Sequence, residues 1–164
     1  MKRLYLVRHA KSSWPEGQET DFDRPLSNRG KKDAPAMGEL LKATRKVVLD
    51  HVLCSPAKRA KATAKRLLKA LDYPLKQVAW EEIIYSGNET DILGLIQGVD
   101  DTFLSLMVIG HNPYITDLAC SLSGDVIDDM PTCGVFCMAL DVASWQAVFQ
   151  RTGQQLFFDR PKGI

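Results

Sequence analysis

The chain has 164 residues, of which 45% are hydrophobic and 25% are charged. This length suits one globular domain with a complete hydrophobic core and is short for two, so we expect a single domain over residues 1–164. The formal net charge is +1, which excludes an overall electrostatic attraction to nucleic acid or to a membrane surface. Any affinity for anions must therefore come from local clusters of basic residues.

The ends of the chain and its cysteines indicate a cytoplasmic protein. Met-Lys-Arg at the start imitates a signal peptide, but only a four-residue apolar run precedes Arg8 and no small-residue cleavage site follows. No stretch approaches the roughly 20 apolar residues of a membrane span, so we expect no membrane contact. The cysteines lack CxxC spacing and lie in apolar segments, which favours buried thiols over disulfides or a metal site. They are Cys54, Cys120, Cys133 and Cys137.

Strands and helices alternate four times over the first three quarters of the chain. The strands are short apolar runs, and the helices show apolar residues at helical spacing after a capping residue. The expected strands are residues 2–7, 50–54, 77–80 and 103–109, and the expected helices are residues 28–44, 57–71, a helix capped by Asn88 or Thr90, and 113–122. Residues 11–23 are too polar and too rich in Pro and Gly to be regular, and residues 81–87 form a connection.

Three further features complete the fold prediction. Ser55-Pro56 predicts a helix start, because proline suits the first helical position. The run 103–109 is the most apolar strand, which predicts the centre of the sheet. Two late strands at 135–140 and 156–158 are separated by a short helical or turn segment at 143–149. This order predicts an α/β three-layer sandwich, in which helices flank a mostly parallel central sheet with one edge antiparallel.

Basic and imidazole side chains follow three of these strands. Arg8 and His9 come after the first strand, Arg59 lies early in the helix after the second, and His111 follows the fourth. Taken singly, such a histidine is more often a structural residue and such an arginine a solvated one. Together, at the edge where open α/β sheets bind ligands, they predict a site for a tetrahedral phosphoryl group. No Asp or Glu lies at metal-ligand spacing from either histidine, so we expect no bound metal.

Three motifs in this order resemble the histidine phosphatase superfamily. They are Leu-Val-Arg8-His9-Ala10, Ser55-Pro56-x-x-Arg59-Ala60-x-x-Thr63-Ala64 and Gly110-His111-Asn112-Pro113. The first resembles the family's Arg-His-Gly signature. The short length and the segment Arg24-Pro25-Leu26-Ser27-x-x-Gly30 are most similar to the SixA-like phosphohistidine phosphatase branch. The resemblance covers essentially the whole chain and implies a phosphoglycerate mutase-like fold and no cofactor.

The resemblance also implies a role for each residue. His9 would be the nucleophile, carrying the phosphoryl group as a covalent phosphohistidine until water removes it. Arg8, Arg59 and His111 would bind the phosphoryl oxygens and offset the charge of the transition state. We expect His111 to be protonated as a donor, with a dianionic phosphate raising its pKa, whereas His9 must keep one neutral nitrogen in order to attack.

The proton donor is less sharply defined. The resemblance places it after the third strand, where Glu82 is preferred by motif position and Glu81 is the second choice; two solvated loop carboxylates are the structural alternative. Lys11 is a candidate contact to phosphate or to an acidic partner, with a solvated lysine as the equal alternative. Ala10 replaces the family's usual Gly, which is a small change unless the backbone there is left-handed.

Three loop residues are expected to be structural. Arg24 is expected to pair with Asp21 or Asp23, with a place at the pocket mouth as the alternative. Trp14 and Tyr85 are expected to pack loops, and flanking the same mouth is their alternative.

The leading hypothesis is a metal-independent phosphatase that acts through a phosphohistidine enzyme intermediate on protein phosphohistidine, a substrate class that the resemblance implies. The alternatives are a small-molecule phosphomonoesterase and a non-catalytic phosphate- or phosphoprotein-binding module. Histidines at both positions argue against the module, because a binding pocket needs cations but no nucleophile. A mutase is disfavoured because the chain lacks room for large insertions. The expected partner is thus a phosphorylated protein or small phosphoester, not nucleic acid, and the sequence indicates no oligomeric state.

Overall fold

A computed structural model of the chain describes residues 1–18 and 20–162. Over these residues the chain forms six strands and five α-helices. The strands are β1 (Lys2–Arg8), β2 (His51–Cys54), β3 (Ala79–Trp80), β4 (Ser105–Gly110), β5 (Val135–Leu140) and β6 (Gly153–Asp159). The helices are α1 (Asn28–Ala43), α2 (Lys58–Ala70), α3 (Glu82–Ser86), α4 (Glu89–Gln97) and α5 (Tyr114–Ser123), with 3₁₀ turns at Leu75–Gln77 and Trp145–Ala147.

The described strands form one sheet in the order β3-β2-β4-β1-β5-β6. The pairs among β1, β2, β3 and β4 are parallel, whereas β5 runs antiparallel to both β1 and β6. Strand β4 lies between β2 and β1, and each of its residues is buried. The mostly parallel sheet, its antiparallel edge and the central position of the most apolar strand are therefore confirmed.

Helices cover both faces of the sheet, because successive strand residues point to opposite sides. Tyr5 and Val7 face a core that contains the apolar residues of α1 and α2. Leu4 and Leu6 face a second core, formed with α4, α5 and the fully buried Trp145. The predicted three-layer α/β sandwich is confirmed, and it leaves the carboxyl edge of the parallel strands open for a site.

Most of the predicted elements begin and end within two residues of the observed ones, and three differences have a clear physical cause. Helix α2 begins two residues after Pro56, because the Ser55 hydroxyl accepts a hydrogen bond from the N–H of Ala57, which is still extended. The predicted connection after β3 contains α3, which spans only five residues and is too short to show a helical period. Strand β6 is longer than the predicted 156–158, because its first residues are polar or exposed at the sheet edge and carry no apolar signal.

Most of the cysteine thiols lie in the interior of the protein. Cys54, Cys133 and Cys137 are buried and Cys120 is half-buried, all as free thiols. Burial raises the pKa of Cys54, and raises the pKa of Cys133 and of Cys137 to about 12, so these three thiols stay protonated. In the part of the chain described, no helix combines the length and apolar character needed to cross a bilayer.

Candidate active site

The carboxyl ends of β1, β2 and β4 bring the predicted histidines together. The His9 N–H donates to the carbonyl of Gly110 at 3.0 Å, and the Ser55 N–H donates to the carbonyl of Ile109 at 3.1 Å. These bonds continue the parallel ladder one residue past β1 and β2. The imidazole centroids of His9 and His111 consequently lie 5.1 Å apart.

The imidazole of His9 is held as a neutral ring with one free nitrogen. Its Nδ1 lies 2.7 Å from the carbonyl oxygen of Ala10. A carbonyl only accepts hydrogen bonds, so Nδ1 carries the proton and Nε2 keeps its lone pair. Burial, followed by the neighbouring His111 and the charges of Arg59 and Arg8, lowers the pKa of His9 to about 3. With 7% of the residue exposed, His9 presents a nucleophilic Nε2 near neutral pH.

Arg59 reaches His9 from the first turn of α2 and is only 6% exposed. Its Nε donates towards Nε2 of His9 across 3.4 Å. Asp21 holds the other edge of the guanidinium, since Nη1 donates to the Asp21 carbonyl at 2.7 Å and Nη2 donates to its carboxylate at 2.9 Å. One edge of Arg59 is therefore fixed by protein, and the other faces the position where a phosphoryl group would meet His9.

Asp21 is the main site residue that the sequence did not identify. Its carboxylate accepts hydrogen bonds from Arg24 at 3.1 Å, Arg59 at 2.9 Å and the hydroxyl of Tyr85 at 2.9 Å. Burial alone would raise the pKa of Asp21, but these hydrogen bonds lower it to about 2. The predicted pairing of Arg24 is thus confirmed for Asp21. Local sequence could not separate Asp21 from nearby Asp23, because the distinguishing contacts come from distant residues.

The two aromatic candidates differ. The ring of Tyr85 packs edge-on against His111, with centroids 5.5 Å apart, and its hydroxyl donates to Asp21. Tyr85 also packs edge-on against Phe22, with centroids 5.0 Å apart. It therefore packs against the loop, as expected, and in addition contacts His111. Trp14 is 55% exposed. The guanidinium carbon of Arg24 lies over its ring, 5.0 Å from the ring centroid.

The surroundings of His111 favour its neutral form, and the protonation expected from the sequence, which depends on a dianionic phosphate raising the pKa of His111, stays a prediction. Burial and the charge of Arg59 lower the pKa of His111 to about 4, with a smaller effect of Arg8. Its Nε2 lies 2.7 Å from the hydroxyl oxygen of Ser55, which already accepts the N–H of Ala57. The Ser55 proton is thus available to Nε2, and this arrangement leaves Nδ1 of a neutral His111 as a donor.

Two donors at this site have no protein partner. Within residues 1–18 and 20–162, the buried side-chain nitrogens that lack a hydrogen bond are Nε of Arg8 and Nδ1 of His111. The far end of Arg8 is anchored, because Nη1 donates to the carbonyl of Met130 at 2.8 Å. An unsatisfied buried donor costs about 1–3 kcal/mol, and an oxyanion would supply the missing acceptors.

The segment after His9 is fixed by residues of the sequence motifs. The Ser27 N–H donates to the carbonyl of Lys11 at 2.8 Å, and a Cβ at Gly30 would collide with that same oxygen. The N–H of the buried Ala10 donates to the hydroxyl of Thr63 at 2.9 Å. Positive φ occurs at other positions among the described non-glycine residues, so alanine in place of the family's glycine causes no backbone strain here.

The remaining candidates are the two glutamates after β3 and Lys11. Glu82 begins α3 and is exposed; the pKa of Tyr85 is raised by burial and by Asp21, and Glu82 adds to this rise. Glu81 instead lines a groove that contains His51. Of the two carboxylates, Glu82 is therefore the one on the Tyr85 side. Lys11 is exposed, and its proposed contact with phosphate stays a prediction.

Several known proteins are similar to this chain in sequence or in fold. The model of the histidine phosphatase superfamily (branch 1) matches residues 4–86. An uncharacterised protein of Mycobacterium tuberculosis is 34% identical over 139 residues, which cover 79% of this chain and 84% of the relative. The phosphohistidine phosphatase SixA of Escherichia coli is 25% identical over 141 residues, covering 85% and 86%. A structure of the protein histidine phosphatase SixA complexed with tungstate has a TM-score of 0.81 at 22% identity, with 95% of each chain covered.

Fold, site and matches together define a phosphatase. The chain belongs to the histidine phosphatase superfamily, and its similarity to SixA proteins in sequence and fold places it in the SixA-like branch. Its α/β architecture is the phosphoglycerate mutase-like fold of that superfamily.

Proposed function

We propose that this protein is a metal-independent phosphatase that hydrolyses protein phosphohistidine through a phosphorylated His9. The observation that carries the proposal is the pair of unpartnered buried nitrogens, Nε of Arg8 and Nδ1 of His111, together with a neutral His9 whose unprotonated Nε2 faces Nε of Arg59. Donors for an oxyanion and a nucleophile for phosphorus thus belong to neighbouring residues. A related fold binds tungstate, a tetrahedral oxyanion like phosphate, and a relative is a phosphohistidine phosphatase.

In the first step, the Nε2 lone pair of His9 forms a bond to phosphorus while the bond from phosphorus to the leaving nitrogen breaks. The electron pair of that bond departs with the leaving imidazole. Arg8, Arg59 and His111 donate to the phosphoryl oxygens, whose charge they offset more strongly in a buried site than in water. The carbonyl of Ala10 keeps accepting the Nδ1 proton, which stabilises the charge on the phosphorylated ring.

In the second step, water attacks phosphorus and the bond to Nε2 breaks, which returns the electron pair to His9. The water proton needs a base, and we assign this role to Glu82, which in the first step donates a proton to poor leaving groups. A phosphohistidine ring protonated on its other nitrogen leaves as neutral imidazole. Hydrolysis of phosphohistidine therefore depends less on Glu82 than hydrolysis of an ester does.

The charges at the site support metal independence. Two guanidinium groups and an imidazole donor can balance the phosphoryl charge without a cation. A non-catalytic binding module is the weaker alternative, because the lone pair of His9 Nε2 would repel a phosphoryl oxygen and gains a purpose only as a nucleophile.

The test compares wild type with His9→Asn in the presence of EDTA. The substrates are a phosphohistidine protein prepared with phosphoramidate and p-nitrophenyl phosphate. We expect wild type to turn over without metal and the variant to lose at least about 1,000-fold in kcat/KM. The asparagine amide can still donate to the carbonyl of Ala10, so the fold should be unchanged by circular dichroism. Alkaline quenching and mass spectrometry should find phosphate on His9.

His51→Asn is the matched control, since this histidine lies at the opposite end of β2 from the site, and it should retain activity. Phosphate trapped on another residue, or wild-type turnover by His9→Asn, would refute the mechanism. Activity that EDTA abolishes and a divalent metal restores would refute metal independence. A higher kcat/KM for small phosphoesters than for phosphohistidine would favour the phosphomonoesterase.

A further inference from the structure

A basic groove lies on the outer surface of α1 and α2. Its basic residues are Lys31, Lys58, Lys61, Lys65 and Arg66, and Trp80 of the edge strand β3 lies at its wall. The four lysines are exposed. Within the described residues, none of these five cations is within ion-pair distance of a carboxylate. We call this surface the basic groove.

This charge weakens the helix that carries it. Helix α2 has six Lys or Arg and no Asp or Glu in 13 residues. Lys61 and Lys65, and Lys65 and Lys69, are four residues apart, and like charges at that spacing destabilise a helix. Lys58 and Lys61 also lie in the first turn, where cations oppose the helix dipole. A chain of net charge +1 thus concentrates cations where they are unfavourable for folding.

One end of the basic groove lies at the first turn of α2, which also carries Arg59. Lys58 and Arg59 are adjacent, and Lys58 faces out whereas Arg59 points inward to His9. The Lys58 N–H donates to the carbonyl of Phe22 at 3.0 Å, next to Asp21. A ligand bound along the basic groove would therefore reach the turn of α2 from which Arg59 contacts His9.

We infer that the basic groove docks an acidic surface of the phosphoprotein substrate and presents its phosphohistidine to His9. This inference rests on the proposed function and goes beyond it by assigning the surface that selects a protein over a small phosphoester. Charge complementarity identifies the occupant as acidic. A protein fits better than a nucleic acid, because the ammonium of Lys61 lies 5.5 Å from the ring centroid of Trp80 and occupies a face on which a base would stack.

The experiment uses two synthetic peptides with one phosphohistidine each, flanked by glutamates in one and by lysines in the other. The test variant is K61E/K65E. The matched control is K32E/K69E, which makes the same charge change on exposed lysines of α1 and α2 outside the groove. We expect K61E/K65E to lose at least about tenfold in kcat/KM on the acidic peptide and to stay within about twofold of wild type on p-nitrophenyl phosphate, which does not reach the groove.

Added salt should lower wild-type turnover of the acidic peptide and have little effect on the variant. If K32E/K69E lost as much kcat/KM on the acidic peptide as K61E/K65E, the inference that the basic groove docks the substrate would be overturned. Unchanged turnover of the acidic peptide by K61E/K65E would overturn it as well. Binding of the unphosphorylated acidic peptide, measured by fluorescence anisotropy, tests the groove even if no phosphohistidine is hydrolysed. Binding of the acidic peptide without hydrolysis of any phosphohistidine would refute the proposed function and leave the basic groove supported. If a single-stranded RNA oligonucleotide bound more tightly than the acidic peptide, the inference that the partner is a protein would be overturned.

Discussion

At the scale of single residues, Arg59 shows how the site is organised. Its Nη edge is engaged by Asp21 and its Nε edge faces His9. An arginine held on one edge loses less freedom when a phosphoryl group binds to the other. Asp21 is therefore a positioning residue, and it also offsets part of the positive charge that would otherwise surround His9.

Asp21→Asn tests this role. The substitution removes the charge-assisted bond to Arg59 but keeps the main-chain acceptor, so we expect kcat/KM to fall about 10- to 100-fold. The loss should be accompanied by weaker inhibition by inorganic phosphate, because Arg59 binds oxyanions less well when it is mobile. Steady-state kinetics with p-nitrophenyl phosphate measures both effects.

Asp23→Asn is the control, because Asp23 lies in the same loop and its carboxylate accepts only from Thr20 in the described chain. An increase in kcat/KM for Asp21→Asn would contradict the positioning role, since it would mean that the carboxylate competes with phosphate for Arg59.

At the scale of elements, the contact between α1 and α2 positions the helix that carries Arg59. A Cβ at Gly38 of α1 would lie 2.6 Å from the Ala70 Cβ and 2.6 Å from the Leu67 carbonyl oxygen. The two helices can approach this closely only because Gly38 has no side chain. Glycine has a low helix propensity and so destabilises α1, but at position 38 it allows α2 to pack closely.

Gly38→Ala should therefore lower the free energy of unfolding by about 1–3 kcal/mol, despite the better helix propensity of alanine. Gly94→Ala in α4 is the matched control, because a Cβ there meets nothing within 4 Å, and it should raise stability by up to about 1 kcal/mol. Urea denaturation measures both. A Gly38→Ala variant as stable as wild type would show that α1 and α2 separate without cost.

At the scale of the whole molecule, two neutral histidines, the buried His9 and the half-buried His111, make stability depend on pH. The pKa of His9 is lowered to about 3 and that of His111 to about 4, whereas an unfolded histidine titrates near 6.5. Between about pH 4 and 6.5 the unfolded chain binds protons that the folded chain does not. The free energy of unfolding therefore rises with pH through this window, and the gain is lost progressively as the pH falls from about 6.5 to about 4.

His9→Asn should remove one of these protons. We expect its stability to change less with pH than that of wild type, by up to about 1.4 kcal/mol per pH unit between about pH 4 and 6.5. Above pH 7 the two proteins should show the same pH dependence. Urea titrations at several pH values provide the measurement, and equal slopes below pH 6.5 would mean that folded His9 titrates like an exposed histidine.

Much of the fold and the central part of the site could be predicted because their signals are local. The apolar runs of β1, β2 and β4 end in the motifs that contain His9, Arg59 and His111, and parallel pairing brings the ends of such strands to one edge. Capping residues likewise marked α1 and α4. The five-residue α3 and the polar start of β6 were missed because neither has a detectable apolar period.

The sequence by itself determined the layers of the sandwich and the residues that meet at its edge, because hydrophobic periodicity and strand order are written along the chain. Only the tertiary structure decided which distant residues form hydrogen bonds at the site. Asp21 accepts from Arg59, 38 residues away, and from Tyr85, 64 residues away. Ser55 is hydrogen-bonded to His111, 56 residues away. The tertiary structure also decided that both histidines are neutral. Burial and charge at each ring depend on distant segments folding against it, and no local pattern encodes that environment.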